Sequence, residues 1–257
     1  MRTSNPTLND NTFSQVRNLG GEAMTIQGAV NKTFILLFLL VMAASWVWSK
    51  IIQPQAEGVA PVMNPTVPSV VGGAVMLGLI GGFIIALVTV FKKEWSPVTA
   101  PIYAILEGLL LGGVSAFFEL QYPGIVMQAV ALTFGTLFCL LGAYKSGLVQ
   151  VTNNFRLGVV AATGAIFLVY LVNLIMGFFH TGIPLLSSSG PWGIGFSLVI
   201  VIIAALNLVL DFDFIERGAS AGAPKYMEWY SAFGLMVTLV WLYLEILRLL
   251  VKFRGRR

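Results

Sequence analysis

The stretch from Gly193 to Asp213 reads GIGFSLVIVIIAALNLVLDFD, an almost uninterrupted apolar run closed by two carboxylates, Asp211 and Asp213. About 20 apolar residues in a row suffice for a helix to cross the hydrocarbon core of a bilayer. Carboxylates set so deep in such a run are rare, and they mark functional positions by default.

The pattern recurs along the chain, with apolar spans near residues 33–52, 70–91, 98–118, 124–144, 157–179, 193–214 and 227–251. Hydrophobic residues make up 57% of the sequence and charged residues 10%, against about 25% charged in ordinary soluble domains. The charge that would solubilise a globular surface is missing. Barrel strands need only about 10 residues of alternating polarity, and these spans are longer and do not alternate. The expected fold is therefore all-α, a polytopic membrane helix bundle of seven transmembrane helices. Residues 1–24 are expected to form a mobile polar tail, and 25–257 the membrane domain. The first apolar run starts too late and is too long for a cleaved signal peptide, so the first span is expected to be retained.

With the N-terminus on the cytoplasmic side, that side holds Arg2, Arg17, Lys32, Lys92, Lys93, Lys145, Arg156, Arg217 and Lys225, while the opposite loops hold only Lys50. The positive-inside rule thus predicts a multi-pass protein of the cell inner (cytoplasmic) membrane with a cytoplasmic N-terminus. The tail from Lys252 to Arg257 runs against the rule, since seven crossings place its charges on the far side, where anionic headgroups are its expected contact. On that side the proline-rich segment 53–69 is predicted to be an extended connector with no helix, and 181–191 a plain polar turn. Lipid is the one certain partner, no nucleic-acid partner is expected, and the oligomeric state is open.

Whole chemistries lack their residues. Cys139 is the one cysteine and His180 the one histidine, so no cysteine cluster for zinc or iron–sulfur binding can be built. Cys139 is expected to pack, and His180 to sit at the membrane boundary. No G-x-S-x-G elbow or phosphate-cradling glycine loop occurs, and Asp211 and Asp213 share one helix where an aspartyl protease needs two. No enzyme is expected. The glycines pattern for packing: Gly78 with Gly82, and Gly108 with Gly112, are spaced for close backbone approach.

The intramembrane acids carry the chemistry. Glu107 is either a buried neutral acid or a ligand lining a cavity, because an unpaired charge at that depth costs several kcal/mol, roughly. Asp211 and Asp213 project about 200° apart on a helix, so one is expected to face the bundle and the other the headgroups. Asn207 shares the face of Asp211, which makes Asn173, Asn207 and Asp211 a candidate inward seam. Asp213 then reads as a helix-end residue solvated near Glu216 and Arg217. Glu228, at the start of the last span, suits the positive end of the helix dipole. Glu245 and Arg248, three residues apart, are expected to neutralise each other.

The segments LVLDFDFI (208–215) and LYLEILRLL (242–250) resemble the last two helices of the Bax inhibitor-1 (TMBIM) family, in which an Asp closes the sixth helix and an L-(F/Y)-L-x-x-L-R-x-L run closes the seventh. MTIQGAVNKT (24–33) and ILEGLLLG (105–112) look like its bacterial YccA-like branch. The resemblance implies a seven-helix bundle that permits a pH-sensitive calcium leak, sensed by two acids on the last two helices and latched by a basic residue near the end of the second helix. Asp211 matches the first acid, and Lys92 or Lys93 supplies a candidate latch. Thr238 stands where the family has its second acid, leaving Asp213, Glu228 and Glu107 as candidates to substitute. Protonation of Asp211 would break the latch and open the bundle, with Asp211 and Glu107 as transient oxygen ligands for calcium, the permeant ion. No resident cofactor is implied. The alternative is a non-conducting regulator or substrate of a membrane-bound quality-control protease, acting through the N-terminal tail. A proton-coupled transporter has only Pro97 and Pro101, near the start of the third span, in its favour.

Overall fold

The computed structural model describes residues 22–53, 61–64, 69–179 and 181–255, apart from the side chain of Ser187. Seven helices within it are long and apolar enough to cross a membrane. They are α1 (Ile26–Ile51), α2 (Ser69–Phe91), α3 (Ser96–Gln121), α4 (Ile125–Lys145), α5 (Asn153–Phe178), α6 (Pro191–Ser220) and α7 (Met227–Arg254). The protein is an all-α, multi-pass integral membrane protein.

Helix boundaries follow from local chemistry. The Thr25 hydroxyl accepts from the Gly28 backbone N–H at 2.9 Å and caps α1, satisfying one of the donors a helix start leaves over. Helix α1 consequently begins before the apolar run, taking in the polar Gln27, Asn31 and Lys32. Thr152 caps α5 in the same way, accepting from Phe155 N–H at 3.2 Å. Pro97 sits in the first turn of α3, where a missing N–H costs nothing. Pro101 lies inside α3, which runs on through it. Gly124 and Gly222 take φ of 80° and 66° in the turns before α4 and α7, a region open to glycine at no steric cost.

One loop adds detail to the sequence-based expectation and one departs from it. Ile52–Gln53 pairs antiparallel with Val62–Met63, so the proline-rich connector opens on a short β-ladder, anchored by Asn64 Nδ2 donating to Lys50 O at 3.3 Å. Pro184–Ser187 forms one helical turn in the segment expected to be a plain polar turn, started by a proline at its first position.

By internal contacts the described residues divide into two compact units: one gathers residues 22–126 with Gly218–Met236, the other Met127–Arg217 with residues 237–255. In the first unit, glycines bring helices to backbone contact. A Cβ on Gly108 would lie 2.3 Å from Leu40 O, one on Gly112 2.5 Å from Ala44 O, and one on Gly78 2.5 Å from Leu106 O. These are the small-xxx-small faces anticipated from the spacing, pairing α3 with α1 and α2. In the second unit, α6 is buried without a break from Asn207 to Ile215, and Leu208, Leu210, Leu242 and Leu247 are among the fully buried side chains.

Candidate functional site

Both α6 acids are buried. Asp211 is 1% exposed and Asp213 8%. The expectation that one would face the headgroups fails because α6 continues to Ser220: Asp213 lies inside the helix, with neighbours all round it, and is no helix-end residue solvated by water. A buried carboxylate needs compensation, and Asp213 has two cations. Arg156 Nη2, from the first turn of α5, donates to Asp213 Oδ2 at 2.8 Å. Arg217 Nε, one turn further along α6, donates to Oδ1 at 2.9 Å. Arg156 is itself 5% exposed, and its Nε makes no hydrogen bond among the described residues. Beside this cluster the Tyr144 hydroxyl donates to Glu216, and the Tyr144 ring lies 5.9 Å from that of Phe212.

One turn before Asp211, buried Asn207 donates through Nδ2 to Thr163 Oγ1 at 2.9 Å and to Ile203 O at 2.8 Å. Asn173 does not join this seam, because its Oδ1 accepts from Ile183 N–H at 2.9 Å and holds the loop after α5. On α7, Glu245 and Arg248 pair at 3.0 Å as their spacing predicted. Glu245 also accepts from the Tyr170 hydroxyl at 2.7 Å and from Trp241 Nε1 at 3.2 Å. Lys252 is not a headgroup-binding residue. It is buried, with Nζ donating to Gly193 O at 3.0 Å and Ser197 Oγ at 2.8 Å, so that the ammonium closes against the start of α6.

The remaining candidates lie in the first unit. Glu107 is half-buried on α3 and accepts a hydrogen bond from Tyr103, one turn earlier; a Cβ on Gly82 of α2 would stand 3.6 Å from its Oε2. The Tyr103 ring packs edge-on to Phe233 at 5.0 Å. Lys93 Nζ lies 5.9 Å above the Tyr230 ring, while Lys92 is exposed. Among the described residues no group of three or more His, Cys, Asp or Glu could hold a metal ion. His180 lies outside the described residues, and Cys139 is exposed.

Glu228 does more than face a helix dipole. It is fully buried, and it accepts from Thr25 N and Thr25 Oγ1, both at 2.9 Å, and from Lys32 Nζ. Lys225 Nζ stands 3.3 Å from the same carboxylate and 3.6 Å from Glu22. Ala23 bridges to Pro224, and Met24 N donates to Ala223 O at 2.6 Å. The end of the expected tail, from Ala23 onward, is therefore strapped to the α6–α7 turn; residues 1–21 lie outside the described residues.

With this geometry the chain matches the Bax inhibitor 1 like family model over residues 5–255. The chain belongs to the Bax inhibitor 1-like family. Comparison with curated proteins and with solved structures gave no match. Among the described ion pairs the basic partners of the α6 acids are Arg156 and Arg217, both on Asp213. Arg217 was open to detection from its i, i+4 spacing to Asp213. Arg156 was not, because it comes from another helix and reads in sequence as one more loop charge.

The strap makes two expectations. A Cβ on Gly28 would fall 2.1 Å from Glu228 Oε1, and that carboxylate cannot swing away without losing Thr25 and Lys32. Gly28→Ala is expected to cost about 1 kcal/mol, in the range of mild overpacking, and to speed limited proteolysis near residue 22; an unchanged digestion pattern would show the strap to be slack. The hydrogen bond and then the charge of Glu228 raise the pKa of Lys225. A raised folded-state pKa means that this contribution is present at neutral pH and below, and is lost only as pH rises through the Lys225 pKa above its ordinary value.

Proposed function

We propose that this family member is a pH-sensitive cation leak of the inner (cytoplasmic) membrane, its N-terminus cytoplasmic and calcium its permeant ion. The observation that supports it most is the buried α6 cluster: Asp211 and Asp213 within one helical turn, with Arg156 and Arg217 on Asp213. Buried ionisable groups in a membrane helix are costly and are kept where they act. Asp211 is the acid assigned to the switch, and Asp213 with its two arginines is the latch beside it, the part assigned from sequence to Lys92 or Lys93. Adding a proton to Asp211 takes a negative charge out of the buried cluster in which Asp213 holds Arg156 of α5 against α6, and the Arg156 guanidinium, already short of one acceptor, is then held less firmly. Loosened packing of α5 on α6 would expose carboxylate and carbonyl oxygens, the donors that calcium prefers.

The test is calcium flux into proteoliposomes of the full chain across a pH series, wild type against Asp211→Asn. Wild-type flux that changes with pH, and a variant whose flux no longer does, is the expected result. Retained pH dependence in Asp211→Asn would remove Asp211 from the switch. No flux above empty liposomes, with the protein folded and inserted, would favour the regulator of a membrane-bound protease; deletion of residues 1–21 would then be expected to abolish association with that protease.

A further inference from the structure

The cluster on α6 leaves one feature of the second unit unused, a cleft of about 390 Å³ lined by Gln128, Leu250, Phe253 and Arg254. It lies where helices end. Gln128 is in the first turn of α4, and the other three residues are in the last turns of α7. At such a level an apolar span gives way to headgroups, and the side chains divide accordingly. Phe253 is half exposed and Met127, next to Gln128, 73% exposed, surfaces suited to acyl chain. The Arg254 guanidinium and the Gln128 carboxamide offer N–H donors, and a guanidinium matches the paired oxygens of a phosphodiester.

The run of basic residues at this terminus invites a simpler account, in which its charges act together on any anionic surface. Lys252 contradicts that account, because its ammonium is turned inward onto Gly193 O and Ser197 Oγ. Of the cations on the last turns of α7, Arg254 is the one that lines the cleft. A cation beside an amide donor, above exposed aromatic and aliphatic surface, is complementary in charge and polarity to one kind of molecule present at that depth.

We infer that the cleft between the start of α4 and the end of α7 is a binding site for a single anionic phospholipid, its phosphate on Arg254 and Gln128 and the start of its acyl chains on Leu250 and Phe253. The ligand class follows from the two surfaces meeting in one cleft. Free phosphate would use the donors and none of the apolar wall, and a zwitterionic lipid would set its own cation against Arg254.

The experiment is native mass spectrometry of the purified full-length protein titrated in detergent with phosphatidylglycerol or phosphatidylcholine. One bound phosphatidylglycerol, retained about five-fold better than phosphatidylcholine, is expected, since one cation at an anionic surface contributes about 1 kcal/mol. Arg254→Gln should bring that ratio to about one, and Arg254→Lys should keep most of it. Arg256→Gln combined with Arg257→Gln should leave it unchanged. Arg254 ends its helix, and unchanged circular dichroism will show that the variants fold. Equal retention of the two lipids by wild type, a preference that survives Arg254→Gln, a preference lost with Arg256 and Arg257, or displacement by inorganic phosphate at matched concentration would each overturn the proposal.

Discussion

Asp213→Ala is expected to lower the stability of the detergent-solubilised protein by about 3–5 kcal/mol, the cost of leaving a buried charge without its partner. The stranded charge is Arg156. Its neighbourhood offers no second carboxylate contact among the described ion pairs, and at 5% exposure water cannot replace the one it loses. Arg217 is in a different position, with 38% of its side chain exposed, and on losing Asp213 it can turn to solvent. Arg217→Ala should therefore cost about 0–1 kcal/mol, as an exposed helix pair does. Thermal unfolding followed by size-exclusion chromatography distinguishes the two. Equal, small shifts would show that the Arg156–Asp213 pair is hydrated and that α5 does not depend on it. A double variant, Arg156→Leu with Asp213→Leu, should recover much of the loss, because it removes both charges together.

Gly108→Ala carries the second large effect, about 3 kcal/mol, the upper end of what overpacking costs. An added methyl group would sit 2.3 Å from Leu40 O, with Ala43 Cβ at 2.8 Å. Neither neighbour is a flexible side-chain end: one is backbone and the other has no rotamer to change. Helix α1 must move away from α3 as a body, which also disturbs the contact between Gly112 and Ala44. Gly73→Ala is the control, since nothing lies within 4 Å of the added atom there. It should be neutral or slightly stabilising through helix propensity. If the two alanine variants unfolded together, the close approach of α1 and α3 would carry no energetic weight.

The seven spans were legible because a membrane helix must satisfy its backbone internally and meet lipid with apolar side chains, and both demands are written locally in the sequence. The glycine faces were legible for the same reason, as spacing on one helix fixes which residues share a face. The early start of α1 was hidden, since Gln27, Asn31 and Lys32 break the apolar pattern and the helix is held there by Thr25 and Glu228 instead. The two buried acids show the limit of helical geometry: an angle of about 200° decides that Asp211 and Asp213 face different ways, but says nothing of whether a neighbour waits on each side. Arg156 meets one of them, and no spacing rule links residues on α5 and α6. Lys252 was misread for a related reason, because a lysine at a helix end near the interface looks exposed until the start of another helix is known to cover it.

The strap that joins Thr25 to Glu228 spans 203 residues of chain. During synthesis α1 emerges well before the carboxylate that receives Thr25 and Lys32, which is made only after five further helices. Until then Lys32 has no acid at that position, and α1 is held by its packing on α2 and α3, the α1–α3 glycine contacts foremost. Closure of the first unit is thus a late event with a high loop-closure cost, and a ribosome stalled before residue 228 would present a chain whose first helix is inserted but whose N-terminal end is still unfastened.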